Sequence, residues 1–568
     1  MKILLLTHAF NSLTQRLHIE LKKRGHAVSV EFDVNDAVTQ QAVDQSTPDL
    51  ILAPFLKRAI PESIWSKYLC LIVHPGIKGD RGPSALDWAI LNGEKAWGVT
   101  VLQAIEEMDA GDIWASVNFP MRETTKASLY RNEVTEAALK GVLLAVDSMR
   151  EEQFKPEPLD YNQVDVRGKL QPLMRQTDRR IDWQQDNTET VLRKIRSADG
   201  FPGVQDMLYG KELSLFDAHK AEGLRGEPGA ILGYCGEAIC RATVDGAVWI
   251  GHLKDKQGAH PFKLPATQVL SKQLVTLTEI TDGYSDIHYA EQEGVGYLHF
   301  PFYNGAMSTD QCNRLREAYI EACKQETKVI VLMGGPDFWS NGIHLNTIEA
   351  AESPADESWA NINAINDLAR EIITTESHIT VSALQGNAGA GGVFLARAAD
   401  HVWARSGVVL NPHYKDMGNL FGSEYWTYLL PKRVGEARAH RITQARLPMG
   451  TVEANELGLL DAYFAIDNVA FVEQLKQRAK LLAEDPALVE KLEQKRVTRQ
   501  ADEQEKPLAE YRREELERMN LNFYGFDPSY HVARYNFVYK VPKSRTPVTI
   551  AHHRDIRRRN SEDWSEAS

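Results

Sequence analysis

Unbroken apolar runs alternate with amphipathic stretches along the first 165 residues. KILLLTHAF (2–10), VSVEFD (28–33), DLILAPFL (49–56) and LCLIVHPG (69–76) are short and mostly apolar, as strands covered on both faces are. Between the first two, SLTQRLHIELKKRGH repeats its apolar residues at helical spacing and stops at Gly25. This pattern predicts a doubly wound parallel sheet, which binds ligands at the carboxyl ends of its strands. From 166 to 272 the runs shorten and glycine becomes frequent, as in YGKELSLFDAHK, GAILGYCG and AICRATVDGAVWIGHLK, which predicts a small β-barrel. Strand–helix alternation returns between 273 and 485, with GVGYLHFPF, TKVIVLMGG and ITVSALQGNAGAGGVFLARAADHVWA. From 486 to 568 the chain is charged and helical, then aromatic, and ends on a polar stretch expected to be loose. The fold class is therefore α/β and multidomain.

Composition narrows the partners. A chain of 568 residues is too long for one core. A net charge of −13 argues against a nucleic-acid-binding surface. No apolar stretch reaches the length of a membrane span. Cys70, Cys235, Cys240, Cys312 and Cys323 form no pair or cluster with metal-ligand spacing, which points to reduced thiols in a cytoplasmic protein without a metal centre.

Two stretches carry chemistry. His74 ends an apolar run and is followed by Gly76, Gly79 and Gly82, which let backbone pass close to a ligand. A lone histidine at a sheet edge is more often structural. Asp109, in EEMDAGDI, offers a carboxylate that would orient the ring and stabilise its charged form, making a general-base pair. The second stretch is GNAGAGGVF (386–394), a glycine turn that follows a strand and opens a helix. Close helix–strand packing would explain it, but so would backbone amides set to receive developing negative charge.

HPGIKGDRGPSALDWAILNGEKAWGVTVLQAIEEMDAGDI closely resembles the formyltransferases that use 10-formyltetrahydrofolate, over most of residues 1–165. Residues 167–270, with RIDW and GFPG, resemble that family's carboxyl-terminal barrel. The resemblance implies His74 and Asp109 as catalytic residues. It sets the folate beside APFLKRAIP, with Leu56, Lys57, Arg58, Ile60 and Gly76 as contacts. One departure stands out: the family has an oxyanion-stabilising asparagine two residues before the histidine, and here that position is Ile72. Losing such a donor costs about 2.7–4 kcal/mol of barrier. Either another group replaces it or the acceptor needs less help. A thiol would need less, since its pKa of about 8.5 puts the strongly nucleophilic thiolate within reach.

Residues 285–470 resemble the crotonase (enoyl-CoA hydratase/isomerase) superfamily in FWSNGIHL, the GAGG turn, ARAADHVWA and LPMGTVEANELGLLDAYF. The resemblance implies a spiral of β/α turns that commonly trimerises, with oxyanion-hole amides on Ile343 and Gly391. The hydratase glutamates fall on Phe394 and near Tyr414, so addition of water to a double bond is not expected. His413, Tyr414 and Glu424 remain as polar candidates; Glu424 would either cap a helix or act as base.

Formyl-CoA would suit both halves. Their fusion, with GSEYWTYLLPKRVG and the aromatic tail, resembles a family of hydrogenase maturation proteins. That likeness implies a bifunctional cytoplasmic enzyme. It would transfer formyl from 10-formyltetrahydrofolate to coenzyme A and then decarbonylate formyl-CoA, releasing carbon monoxide for the nickel–iron site. Its partners would be these small molecules and a hydrogenase large-subunit precursor or other maturation proteins, with neither nucleic acid nor membrane. Arg16 and Arg131 could meet CoA phosphates or folate glutamate, or be solvated helix charges. RDIRRR (554–559) is too short, and too near acidic residues, to indicate nucleic acid. Two competing readings remain: a formyltransferase for an amine or sugar with a non-catalytic crotonase module, and a maturation scaffold without activity.

Overall fold

The structure, a computed structural model, describes residues 1–555. Two compact units share the chain. Unit 1 holds residues 1–284 together with the described residues from 542 onward, and unit 2 holds Ser285–Val541. Residues 556–568, which include most of RDIRRR and of the polar end, lie outside the described residues.

Unit 1 opens with a six-stranded sheet of β1 (Lys2–Thr7), β2 (Ala27–Phe32), β3 (Leu50–Phe55), β4 (Cys70–His74), β5 (Ala96–Gln103) and β6 (Ile113–Pro120), ordered β2-β1-β3-β4-β5-β6. The first four are parallel, and each is buried along nearly its whole length, as their continuous apolar runs require. The expectation of a wholly parallel sheet needs correcting, because β5 runs antiparallel to β4 and β6 antiparallel to β5. The short loop 104–112 between β5 and β6 allows no crossover, so that pair can only be antiparallel. The helix Asp36–Ser46 covers the face bearing Leu4, Leu6, Ile51 and Ala53.

The second sheet of unit 1 comprises β7 (Val204–Leu208), β8 (Lys211–Lys220), β9 (Ile231–Cys235), β10 (Ala238–Ala242), β11 (Ala247–Lys254) and β12 (Leu264–Pro265). Its order is β7-β8-β11-β10-β9, with β12 on β11. The expected small barrel is here an open antiparallel sheet: among the described residues no ladder joins β7 to β9. The helix Thr188–Ala198 explains why closure is not needed. Its Val191, Leu192 and Ile195 fill the core against Leu213, Leu215, Val248 and Ile250. The edge of β9 is covered by residues 278–280, which exchange hydrogen bonds with Tyr234.

The expectation of a loose end also fails for its first residues. From 542 the chain rejoins unit 1 along the free edge of β2. Val30 N–H donates to Ile550 O (2.9 Å), and Phe32 N–H to Thr546 Oγ1 (2.7 Å). The wholly buried Glu31 meets Thr546 Oγ1 at 2.6 Å, His553 Nε2 at 2.8 Å and Arg554 Nε at 2.8 Å. Burial alone would raise this carboxyl, but the hydrogen bonds of His553, Arg554 and Thr546 hold it below the usual carboxylate range.

Unit 2 is a β/α spiral. A six-stranded sheet runs β13 (His288–Gln292), β14 (Val295–Phe300), β15 (Val329–Gly334), β17 (Ile379–Leu384), β19 (His401–Arg405) and β22 (Ala462–Phe464). A smaller sheet runs β16 (Phe338–Ser340), β18 (Asn387–Gly389), β20 (Val409–Asn411) and β21 (Met449–Gly450). Strands β15, β17 and β19 each step into a short strand of the smaller sheet before the chain moves on. The helix Leu508–Tyr524 puts Leu508, Met519 and Phe523 into the same core, joined by Tyr530 of the helix Ser529–Val538. No helix among the described residues is long and apolar enough to cross a membrane, and no group of residues there has a metal-binding arrangement.

Candidate functional site

The first site lies where β4 ends. The pleat puts Ile72 and His74 on one face of the strand. The His74 ring is buried, and each of its nitrogens meets a carboxyl. Nε2 lies 2.8 Å from Asp80 Oδ2, and Nδ1 lies 3.5 Å from Asp109 Oδ2. Asp109 is carried by the loop between the antiparallel strands β5 and β6, at a left-handed φ of 53°, and also accepts from Gly82 N–H (3.1 Å). Arg81 braces that loop through Met108 O (2.9 Å) and Glu107 (2.7 Å).

Gly76 has a steric reason. A Cβ there would sit 2.5 Å from both Asp80 Oδ2 and His74 Nε2. Thr100 Oγ1 donates to its carbonyl at 2.8 Å. Burial pushes the Asp80 carboxyl above its ordinary value; the bond with His74 opposes this and the charge of Asp109 adds to it.

The other unit 1 candidates differ in burial and in partners. Leu56 and Ile60 pack with Ile64 and Cys70 beneath the loop after β3. Lys57 Nζ faces the exposed Phe201 ring at 5.8 Å from its centroid. Arg58 is held by Asp36 and Asp33. Arg16 is buried beside Glu20 (3.4 Å) and Glu136 (4.0 Å), with its Nε lacking a partner. Arg131 lies in the π-helical turn Tyr130–Val134.

The second site lies in unit 2, where two glycine loops converge. A Cβ at Gly342 would lie 3.4 Å from the Gly391 nitrogen. Among the described residues, neither the Ile343 nor the Gly391 amide has an acceptor. Beside Gly391 is the buried Glu424, at a left-handed φ of 58°; a Cβ at Gly391 would run into its Oε1. Tyr414 Oη lies 2.6 Å from Glu424 Oε2 and 2.9 Å from Ser423 O. Phe394 stacks on Tyr414, with centroids 5.5 Å apart and planes 17° from parallel. Burial pushes the Glu424 carboxyl up to about 7; the Tyr414 bond opposes this, and the charge of Glu515 adds to it. His413 is buried with Nδ1 unpartnered, and no hydrogen bond joins its ring to Tyr414 or Glu424.

The sequence reading missed three residues here. Glu515, wholly buried on Leu508–Tyr524, accepts from Ser423 Oγ (3.1 Å), Tyr425 N–H (3.0 Å), Thr427 N–H (2.9 Å) and Thr427 Oγ1 (2.6 Å). It thereby holds the 423–427 loop in shape. Asn366 does the same from the other side, donating to Ser423 Oγ (2.8 Å) and accepting from Glu424 N–H (2.8 Å). The signal for Glu515 was its position on the apolar stripe Leu508, Met519, Phe523 of a charged helix. The third, Asp80, was hidden in the glycine-flanked GDRG beside His74.

An imidazole between two carboxyls can take and return a proton. A buried carboxyl beside free amides can remove a proton from a group whose oxygen those amides hold.

Comparison with known proteins bears on both sites. Residues 19–146 match the formyl transferase family, 173–263 its C-terminal domain, and 292–523 the enoyl-CoA hydratase/isomerase family. The chain is 57% identical over 559 residues to the hydrogenase maturation factor HoxX of Bradyrhizobium diazoefficiens, covering 98% of each. It is 50% identical to HypX from Aquifex aeolicus, solved in complex with tetrahydrofolic acid, with a TM-score of 0.94 over 98% of this chain and 99% of that one. Against the methionyl-tRNA formyltransferase of Streptococcus pyogenes it is 30% identical over 168 residues, 30% of this chain and 52% of that protein.

Proposed function

The chain belongs to the HypX/HoxX family of hydrogenase maturation factors, and from that membership we propose that it makes carbon monoxide for a [NiFe]-hydrogenase active site in two steps. In the first, the formyl group of 10-formyltetrahydrofolate passes to coenzyme A at the His74–Asp109 site of unit 1. The C–S bond forms as the C–N10 bond breaks, and the thiol proton ends on N10. His74 carries that proton, and Asp109 stabilises the charged ring. The tetrahydrofolate complex of the Aquifex aeolicus relative supports a folate here, with Leu56, Lys57, Ile60 and Gly76 as its surroundings. Arg58, already held by two carboxylates, is better suited to shaping the loop than to binding folate glutamate.

In the second step, formyl-CoA loses carbon monoxide in unit 2. The formyl C–H proton passes to Glu424 and the C–S bond breaks. The thiolate leaves with that electron pair and is then protonated, restoring coenzyme A. The Ile343 and Gly391 amides would hold the formyl oxygen. Tyr414, hydrogen-bonded to Glu424, would steer the proton. A carboxyl pushed up to about 7 is poised to exchange a proton at neutral pH.

The single observation that carries this reading is the buried Glu424–Tyr414 pair beside Gly391, in a pocket where Phe394 fills the first hydratase glutamate position. The test is incubation with 10-formyltetrahydrofolate and coenzyme A, with deoxyhaemoglobin to trap the gas. The carbon monoxide–haem spectrum is expected to grow with time. His74→Ala abolishes formyl transfer, and Glu424→Gln lets formyl-CoA accumulate. A folded, folate-binding sample that yields no such spectrum refutes the proposal. Phe394 also favours a second reading, formyl transfer to an amine with unit 2 catalytically silent; a formylated amine made without coenzyme A selects it.

A further inference from the structure

The missing donor at Ile72 leaves the formyl site short of a group to stabilise the oxyanion, and the Asp80 carboxyl lies against the histidine of that site. Its Oδ2 reaches His74 Nε2 at 2.8 Å, and Gly76 leaves room for that approach and for no Cβ. Among the described residues His74 is the only hydrogen-bond partner of the Asp80 carboxyl. The neighbouring cations are engaged elsewhere: Lys78 with Glu157 (2.7 Å) and Asp165 (2.7 Å), and Arg81 with Glu107 and Met108 O. Tyr161 donates to Gly79 O. A buried carboxylate with no cation and a single partner is unfavourable, whereas a carboxylic acid there is not.

Counting protons leads to the same place. If Nδ1–H of His74 points at Asp109, Nε2 bears a lone pair, and the 2.8 Å approach of Asp80 needs a proton on Asp80. If Nε2 bears the proton instead, Nδ1 needs a second one to face Asp109. The first arrangement keeps the ring neutral and makes Asp80 the donor; the second leaves a charged ring between two carboxylates in a buried site.

We propose that Asp80 is a catalytic residue of formyl transfer: it supplies, as a carboxylic acid, the hydrogen bond to the formyl oxygen that the side chain at Ile72 cannot. The role rests on the formyl-transfer reading of this site. As the thiol sulfur attacks the formyl carbon, its proton moves to His74 Nε2. The Asp80 O–H turns from that nitrogen to the oxygen, which now carries the charge. When the C–N10 bond breaks, the His74 proton passes to N10, the carbonyl re-forms and the Asp80 O–H returns to Nε2. The thiol proton ends on N10 and Asp80 ends as it began.

Formyl transfer from 10-formyltetrahydrofolate to coenzyme A, measured on the full chain, tests this. Asp80→Ala lowers kcat about 100–1000-fold, with KM for the folate little changed. Asp80→Asn, which keeps an N–H donor, recovers most of that loss. Adding Ile72→Asn to Asp80→Ala recovers activity as well, because it restores a donor on the same face as His74; a residue that merely held the loop would not be replaced from β4. Asp80→Ala within threefold of wild type, or a folded, folate-binding double variant with no recovery, overturns the proposal. Nitrogen-15 NMR of His74 separates this from the failure of formyl transfer itself. If the wild type transfers no formyl group, an unprotonated, hydrogen-bonded Nε2 still supports the placement of the proton, and an Nε2–H facing an ionised Asp80 overturns it.

Discussion

Each unit holds a pair of acidic side chains in its candidate site, and what stands between them differs. In unit 1 an imidazole separates Asp80 from Asp109, so a proton can move within the trio and leave its net charge unchanged. In unit 2, among the described residues, the hydrogen bonds of the Glu424 and Glu515 carboxyls come from hydroxyls and backbone amides. Four donors fill the acceptor positions of Glu515. The Ser423 hydroxyl receives a hydrogen bond from Asn366, so its own proton goes to Glu515. Burial nonetheless pushes the Glu515 carboxyl up to about 7, against the pull of those donors, and its charge helps push Glu424 up. A site with an internal base can shuttle a proton between donor and acceptor; a site of carboxyls without an imidazole between them must exchange it with substrate or water. The first suits group transfer, the second elimination.

The sharpest way to separate the two is through their glycines. Gly76→Ala drives a methyl group against Asp80 and His74, and Gly391→Ala drives one against Glu424. Each is expected to lower its own half-reaction by at least about 100-fold and leave the other intact, read as formyl transfer to coenzyme A and as consumption of supplied formyl-CoA. Next in size, Glu515→Ala leaves four donors unmatched beside a buried carboxyl. Urea unfolding is expected to show unit 2 destabilised by about 3–5 kcal/mol.

The pH dependence of stability is a smaller test. The folded-state pKa of Glu424, about 7, lies above that of an unfolded glutamate. Its stabilising contribution is complete below the unfolded value of about 4.3 and is lost as pH rises through 7. Wild type should lose on the order of 3 kcal/mol across that window relative to Glu424→Gln, measured by urea midpoints at each pH. Phe394→Leu should do least. Losing the stack on Tyr414 costs about 0.5–1.5 kcal/mol beyond burial, visible as a small drop in Tm.

The comparison also explains what could be read from sequence. Parallel strands β1 to β4 announce themselves because burial on both faces demands continuous apolar runs. His74, Asp109, Tyr414 and Glu424 are paired by the fold because short loops with distinctive residues carry them. Strand direction at β5 and β6 was illegible, since it depends on loop length and not on apolar pattern. The open second sheet was illegible because the helix Thr188–Ala198, which makes closure unnecessary, reads as any amphipathic helix does. Glu515 stayed hidden because nearly a hundred residues separate it from the loop it shapes; the hydrogen bond to Ser423 spans 92 positions. His413, also singled out in the sequence, is buried with its Nδ1 unpartnered and makes no hydrogen bond to Tyr414 or Glu424.

The return of the chain to β2 has a consequence for biosynthesis. Glu31 and His553 are 522 positions apart, so the sheet that β1 and β2 begin is finished only by residues translated some five hundred positions later. Until then a strand edge and a buried acid lack their cover, which is the kind of exposure that recruits chaperones. A nascent chain stalled before residue 546 would carry that wound in the sheet of β1 and β2 while the elements made since had already folded.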